Sequence, residues 1–483
     1  MRRSERRPWM SEAGTEVSDK SKRDGADALL ASERVRVRLD ALRFPLGAVF
    51  LAAYAYSSFA PGSYGTVVFL SVGIALYVLS VMWASMFHQV LALIACAVFG
   101  VLLLAGRFEV GVFFEGLPTY FNIVAVLIIL SVAGYPIRAD RFEAQIQALM
   151  AAMTRRGVGV GATAAGLGHV LGAALDVGSF VLVDVILRRA VPKERVETLV
   201  WAGRGFSFTP LWSNLNVFTV TTIELTGVSY PALLATMLPF VVPGLAVTLV
   251  LAQREGGEVS ESSEMLNRGA IAVLFYPVLL VALVALVSVL LPGSPLTVII
   301  SFTVAAVVFV IAAVATGLLR RSSPVRRLAH ETHESLVGSH AEFALFGSAG
   351  ILVLSLEGLG ALAPIGSLLS VLPPILVAPA LMLVMALGWM AGIHVIPLVF
   401  LIDAAFPLSN GPAPALWTAA ILIGSQAVLL LTPFSNGTTM LSRLTGLHPL
   451  EIGARRNWRF SLFVALAGLL YLGLLTFLLL FPS

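Results

Sequence analysis

Leu431-Thr-Pro-Phe-Ser-Asn-Gly-Thr-Thr-Met440 is a polar gap inside an apolar run that begins near Ala415. Pro433 removes a backbone donor and Gly437 loosens the chain. Ser435, Asn436, Thr438 and Thr439 carry groups able to pair with the main chain so exposed. A helix surrounded by lipid does not contain such a sequence. The same phrase stands earlier as Thr209-Pro-Leu-Trp-Ser-Asn214, and each copy is followed by Leu-Thr-Gly, at Leu225–Gly227 and Leu444–Gly446. The offsets are 432 − 209 = 223 and 444 − 225 = 219. The chain therefore reads as a duplication in which each half contributes one broken helix.

Composition sets the class. Of the 483 residues 58% are apolar and 12% charged, and mean hydropathy is +0.93, far more apolar surface than a soluble core would use. The predicted class is an all-α polytopic membrane protein. The single cysteine, Cys96, excludes a disulfide framework. A net charge of +4 does not point to nucleic acid, because the basic residues cluster between apolar runs, which is the positive-inside pattern. Residues 1–43 hold 11 of the 31 Lys and Arg with 8 acidic residues and no long apolar stretch. They read as a polar, disordered cytoplasmic tail, with a short helix over Ala28–Leu42, and not as a cleaved signal peptide.

Counted against the ~20 residues that cross a hydrocarbon core, eleven spans are predicted. They are Phe44–Ala60, Gly65–Trp83, Met86–Gly106, Thr119–Tyr135, Gly205–Ile223, Ala232–Leu251, Ala270–Leu291, Leu296–Leu319, Phe343–Leu359, Ala415–Met440 and Phe460–Leu480. Arg107, Glu109 and Glu115 fall in an outer loop. Ile137–Gly157, with Arg138, Arg141, Arg155 and Arg156, reads as an amphipathic helix along the cytoplasmic interface. Two stretches defy simple counting. Val158–Leu187 is rich in glycine and has basic residues at both ends, so it reads as a re-entrant hairpin buried in protein. Pro374–Phe406 has no basic residue at either end and reads as a second hairpin, entering from the opposite side. With these two hairpins every basic cluster falls on one side, the N-terminus inside and the C-terminus outside. The segments are then the tail (1–43), scaffold helices with the interfacial helix (44–157), a first hairpin, broken helix and span (158–252), loops and scaffold helices (253–373), and the second hairpin, broken helix and span (374–483).

The hairpins echo one another through Gly168-His169-Val170 and Ile393-His394-Val395, offset by 394 − 169 = 225. Five spans per repeat, an odd number, make the two halves inverted copies. Inverted repeats with interrupted helices near the midplane mark a secondary transporter in the cell membrane.

This layout resembles the ion transporter superfamily, and most nearly its divalent-anion/sodium symporter group. The likeness covers residues 44–483 in topology, with residue-level support in Thr209–Asn214 and Thr432–Asn436, which look like that group's Thr-Pro-rich helix breaks. The group's hairpin-tip Ser-Asn-Thr motif is missing, and His169 and Gly392-Ile393-His394 stand in that region. The resemblance implies a moving transport domain of two hairpins and two unwound helices, carrying a di- or tricarboxylate, and a homodimer built on the remaining spans.

The residues themselves suggest the site chemistry. Half-helix N-termini attract an anion, and carbonyls at the opposing ends suit a small cation. Thr209, Ser213, Asn214, Asn216, Thr432, Ser435, Asn436, Thr438 and Thr439 are neutral groups able to orient a small anionic solute, and His394 could join them. His169, Asp176 and Gly437 are candidates for handling the coupling ion, Na⁺ or H⁺; no other cofactor is expected. The competing reading is that Pro, Ser and Thr merely kink packed helices, and that each histidine is bonded to a hairpin carbonyl. Asp184, four residues before Arg188, reads as its ion-pair partner. Arg204 reads as an interfacial, snorkelling arginine that could instead meet a carboxylate. His330-Glu-Thr-His-Glu334 resembles a zinc helix, but its histidines are at i and i+3 in what reads as a polar loop. An inorganic oxyanion is an alternative cargo. A membrane enzyme is a reading of a different class, one that short outer loops with scattered Glu109, Glu115 and Glu224 do not support.

Overall fold

A computed structural model describes residues 41–60, 62, 64–136, 142–190, 193–254, 268–319, 323–410 and 413–480. Residues 1–40 of the proposed tail, with most of its short helix, lie outside them, and its last residues, 41–43, belong instead to the first helix. Every regular element among the described residues is helical. The first helix, α1, covers residues 41–59. Next come α2 (Tyr64–Val81), α3 (Met86–Leu104), α4 (Val110–Ala133) and the amphipathic α5 (Phe142–Arg155). The first hairpin region is α6 (Val160–Leu175) and α7 (Gly178–Ala190), followed by α8 (Arg195–Phe206), α9 (Val217–Thr226) and α10 (Tyr230–Ala252). The middle of the chain is α11 (Arg268–Leu290), α12 (Leu296–Leu319), α13 (Ser323–Gly338), α14 (His340–Gly358) and the short α15 (Ala363–Ser370). The first order then repeats as α16 (Pro374–Met390), α17 (Val395–Ala405), α18 (Pro414–Leu429), α19 (Asn436–Thr445) and α20 (Trp458–Leu480).

Seven of these elements are long and apolar enough to cross a membrane: α2, α3, α4, α10, α12, α14, and α20 with its preceding turn. Their outward faces are apolar. On α3 only Ala92, Ala95 and Leu102 are buried, while Leu93 and Leu104 stand exposed, and Leu470 and Phe477 do the same on α20. An all-round apolar helix with one buried stripe has lipid as its other solvent. The chain is a polytopic all-α membrane protein.

Packing divides the helices into two groups. In one, α14 lies against α2, α3 and α4, and α4 carries α12 and α13. Phe50 of α1 joins it by stacking on Phe69 and meeting Phe343 edge-on. In the other, α6 packs on α8 and α10, α16 packs on α18 and α20, and α10 touches α18. Contacts of α9 with α4 and of α17 with α14 join the groups. Glu224, which the sequence scatters among loop carboxylates, sits in α9 and accepts from the Thr297 backbone N–H at the start of α12 (2.9 Å), satisfying an orphan donor there.

Helix ends follow local chemistry. Gly227 and Gly446 adopt left-handed φ values of 69° and 75° and close α9 and α19, so each Leu-Thr-Gly is a helix stop. Some sequence expectations are corrected. His330–Glu334 is not a loop; it lies within α13, where His330 faces Glu334 one turn on (3.2 Å). Glu115 is inside α4 rather than in an outer loop. The first broken helix begins at Arg195 instead of Gly205, because charged residues of α8 find partners of opposite sign in the protein. Arg195 meets Asp184 (2.6 Å) and Glu197 meets Arg456, so hydropathy reports a loop where a helix runs.

Candidate functional site

Glycines bring the first hairpin and the first broken helix together. A Cβ on Gly168 would overlap the Ala202 carbonyl, and one on Gly205 would overlap the Ala165 carbonyl. Backbone approaches this close require small residues. In the second half a Cβ on Gly424 of α18 would overlap the Met382 carbonyl of α16.

Polar side chains then bind the first break to its hairpin at a constant spacing of forty residues. Thr209 Oγ1 donates to the His169 carbonyl (3.1 Å), Ser213 Oγ donates to the Ala173 carbonyl (2.9 Å), and Asn216 Nδ2 donates to Asp176 Oδ1 (3.2 Å). Asn216 Oδ1 meanwhile caps α9 by accepting from the Thr219 N–H (3.3 Å). Asp176 is the hairpin tip, and it is the one non-glycine residue among those described with positive φ, 50°. The Asn216 bond and the Ser179 hydroxyl, which donates to the Asp176 carbonyl (2.7 Å), hold this unfavourable conformation.

The second break is built differently. Thr432 Oγ1 donates to the Trp389 carbonyl of its hairpin (3.3 Å). Ser435 caps α19 by accepting from the Thr438 N–H (2.9 Å), and the Ser435 and Thr438 hydroxyls both donate to the Leu429 carbonyl that the break leaves unpaired. Thr439 Oγ1 reaches the Pro433 carbonyl (3.4 Å). Gly437 is buried in the first turn of α19, against Leu429.

The two motif offsets now have a cause. Caps and stops share one register, 435 − 216 = 219 and 446 − 227 = 219, whereas the Thr-Pro pairs differ by 223. Ten residues separate α8 from α9 and six separate α18 from α19, so the four extra residues lie inside the first break. Ser435 is thus the helix-register counterpart of Asn216, and Asn436 is not that of Asn214. The two asparagines also differ in surroundings. Asn214 is fully buried and donates to the Val281 carbonyl of α11 (3.1 Å), leaving its Oδ1 without a partner among the described residues. Asn436 is exposed.

The histidine echo fails at the same level. His169 lies inside α6, with Nδ1 3.2 Å from the Gly205 carbonyl and its ring 5.7 Å from Trp212. A carbonyl only accepts, so Nδ1 is the donor in that bond. His394 instead stands at the second tip as the N-cap of α17, its Nδ1 accepting from the Ile396 N–H (3.4 Å). By hydrogen-bond role the partner of His169 is Trp389, which the sequence reading passed over.

The two broken helices do meet. α9 packs on α18, α8 packs on α19, and the first break itself touches α18. Thr418 Oγ1 of α18 donates to Thr226 Oγ1 of α9 (2.8 Å). A cavity of about 700 Å³ opens beside the first hairpin tip, between Asp176, the start of α9, the end of α4 and the junction of α13 with α14. Ser131, Ser335, Ser339 and Glu342 line it, and among the described residues no basic one does. Sequence reading missed these four, although the polar start of α14 was a visible signal.

Asp184, Arg188 and Arg195 form the expected ion pair with an addition, since Asp184 accepts from both guanidinium groups (2.8 and 2.6 Å). Arg204 does not snorkel. It donates to Asn457 Oδ1 (3.0 Å) and the Arg456 carbonyl (2.7 Å), and it stacks 4.2 Å over Trp201.

No family model matches the chain, and no curated protein matches it. Solved structures that resemble it include the YdaH transporter of Alcanivorax borkumensis, whose crystal structure is described as having an unusual topology. It is 17% identical, with 76% of this chain and 86% of that one covered and a TM-score of 0.47. At that level the likeness carries no weight for function.

Proposed function

We propose that the chain is a secondary active transporter of the cytoplasmic membrane, moving a small anionic solute with Na⁺ or H⁺ by alternating access. The observation that carries this reading is the meeting of two broken helices, each braced to its own hairpin by a threonine that donates to a hairpin carbonyl. A kink needed only for packing has no use for a second kink facing it. The hairpins are re-entrant and the two halves inverted, with short arms that a single span does not explain.

The bonding refines the roles. Thr209, Ser213, Ser435 and Thr438 donate their protons to carbonyls, so toward a solute they present lone pairs and suit a cation. Donors for an anion come from the N-terminal turns of α9 and α19 and from the exposed Asn436 amide. The cavity at Asp176, with Glu342 and three serines, repels an anion and suits the coupling ion. His394, half-buried at the second tip, remains a candidate solute ligand.

The test is flux in proteoliposomes, with Na⁺ and pH gradients imposed separately and with labelled dicarboxylate, tricarboxylate and inorganic oxyanion supplied in turn. One gradient is expected to drive uptake of one anion, and Asp176→Asn is expected to abolish the dependence on that gradient. Flux of no anion under either gradient contradicts the proposal.

A further inference from the structure

A second cavity, of about 480 Å³, lies away from the breaks, between α8, the end of α10 and the turn that opens α20. Four arginines line it, Arg204, Arg455, Arg456 and Arg459, with Trp201 and Trp458, and among the described residues no acidic one does. We propose that this cavity binds a phosphate oxyanion, and that in the membrane its ligand is the headgroup of an anionic phospholipid.

Charge is the first argument. Arg456 is compensated by Glu197 and Glu451, while Arg204 is held by neutral oxygens of Asn457 and Arg456. Among the described residues neither Arg455 nor Arg459 meets a carboxylate, and both are exposed. Arg455 and Arg459 thus bring to the cavity two positive charges that no carboxylate among the described residues meets. Planar guanidinium groups suit bidentate contacts to phosphate.

Backbone geometry is the second. Residues Glu451–Asn457 form a π-helical turn, a wide, uncommon conformation that recurs at functional sites. It leads directly into α20, so that Arg455 and Arg459 stand one turn apart. Trp201 and Trp458 give the guanidinium groups aromatic faces, at 4.2 Å for Arg204 and 5.3 Å for Arg459. Stacking on Trp458 fixes the Arg459 fork in place while its N–H groups meet no acceptor among the described residues.

The rim distinguishes a lipid from a soluble ion. Leu251, Trp458 and Phe463 line the cavity and are all partly open to the outside. A ligand with a phosphate head and acyl chains matches a basic floor with an apolar edge, and tryptophan beside arginine is what an interfacial headgroup level selects.

Melting temperature of the full-length protein in phosphatidylcholine nanodiscs tests this, with phosphatidylglycerol or inorganic phosphate added. Phosphatidylglycerol is expected to raise it. The double variant Arg455→Gln/Arg459→Gln is expected to need about tenfold more lipid for the same rise, the equivalent of one charge-assisted contact. Arg459→Lys, which keeps the charge and loses the fork, is expected to fall between, and it serves alone if the double variant does not fold. A rise with inorganic phosphate that is lost in the variant assigns the same site to a soluble phosphate. No rise with either ligand, or equal rises in native protein and variants, overturns the proposal.

Discussion

Asp184 and Asn216 show how single side chains fix the site. Asp184 is 1% exposed and serves two arginines, of which Arg188 is 59% exposed and Arg195 is 20% exposed. Asp184→Asn is expected to cost about 2 kcal/mol, less than a fully enclosed pair because Arg188 stands partly in solvent; thermal unfolding in detergent measures it. Asn216 has two duties, a cap on α9 and a bond to Asp176. Asn216→Ala is expected to cost about 1 kcal/mol through the cap. Asn216→Ser keeps a capping oxygen and loses the reach to Asp176, so stability should hold while gradient-driven flux falls. Residue types at the breaks were legible in the sequence, but their partners were not. Ser213 and Thr438 read as solute ligands, and both donate to carbonyls that the breaks bring close. The matched histidines misled because spacing along a chain does not distinguish a position inside a helix from one at a tip.

Glycine at a helix crossing behaves differently from glycine on a helix face. Gly205→Ala or Gly168→Ala drives a methyl group into a neighbouring carbonyl, at an expected cost of about 1–3 kcal/mol. Gly166→Ala, in the same helix with no atom within 4 Å of the added carbon, should leave stability unchanged or raise it by up to about 1 kcal/mol. Unfolding midpoints of the three variants in one detergent check the contrast. Elements that face lipid were legible nearly to the residue: α3, α10 and α12 fall within a few residues of the hydropathy limits, since lipid permits nothing polar there. α8 was not, because Arg195, Glu197 and Arg204 find partners in protein. The four-residue difference between motif offsets was visible as a number, and only the caps of α9 and α19 turn it into a longer first break.

At the scale of the whole molecule, one order of elements occurs twice, hairpin, broken helix and long helix, and the copies interlock through α9 on α18 and α8 on α19. Arg195 donates to the Leu444 carbonyl of α19 and Arg456 pairs with Glu197 of α8. The basic ends of the two halves therefore lie at one end of the protein, as the positive-inside pattern requires. Inversion follows if each hairpin enters and leaves on one side, the first from the cytoplasm and the second from outside. Sidedness of single cysteines in a Cys96→Ser background measures this directly, using a membrane-impermeant maleimide on cells and on inverted vesicles. Cysteines at Arg156 and Arg188 are expected to label from the cytoplasmic face alone, and cysteines at Val371 and Pro407 from the outer face alone. Labelling of Arg156→Cys and Arg188→Cys from opposite faces would make the first hairpin an ordinary span and contradict the inverted arrangement on which the proposed transport site depends.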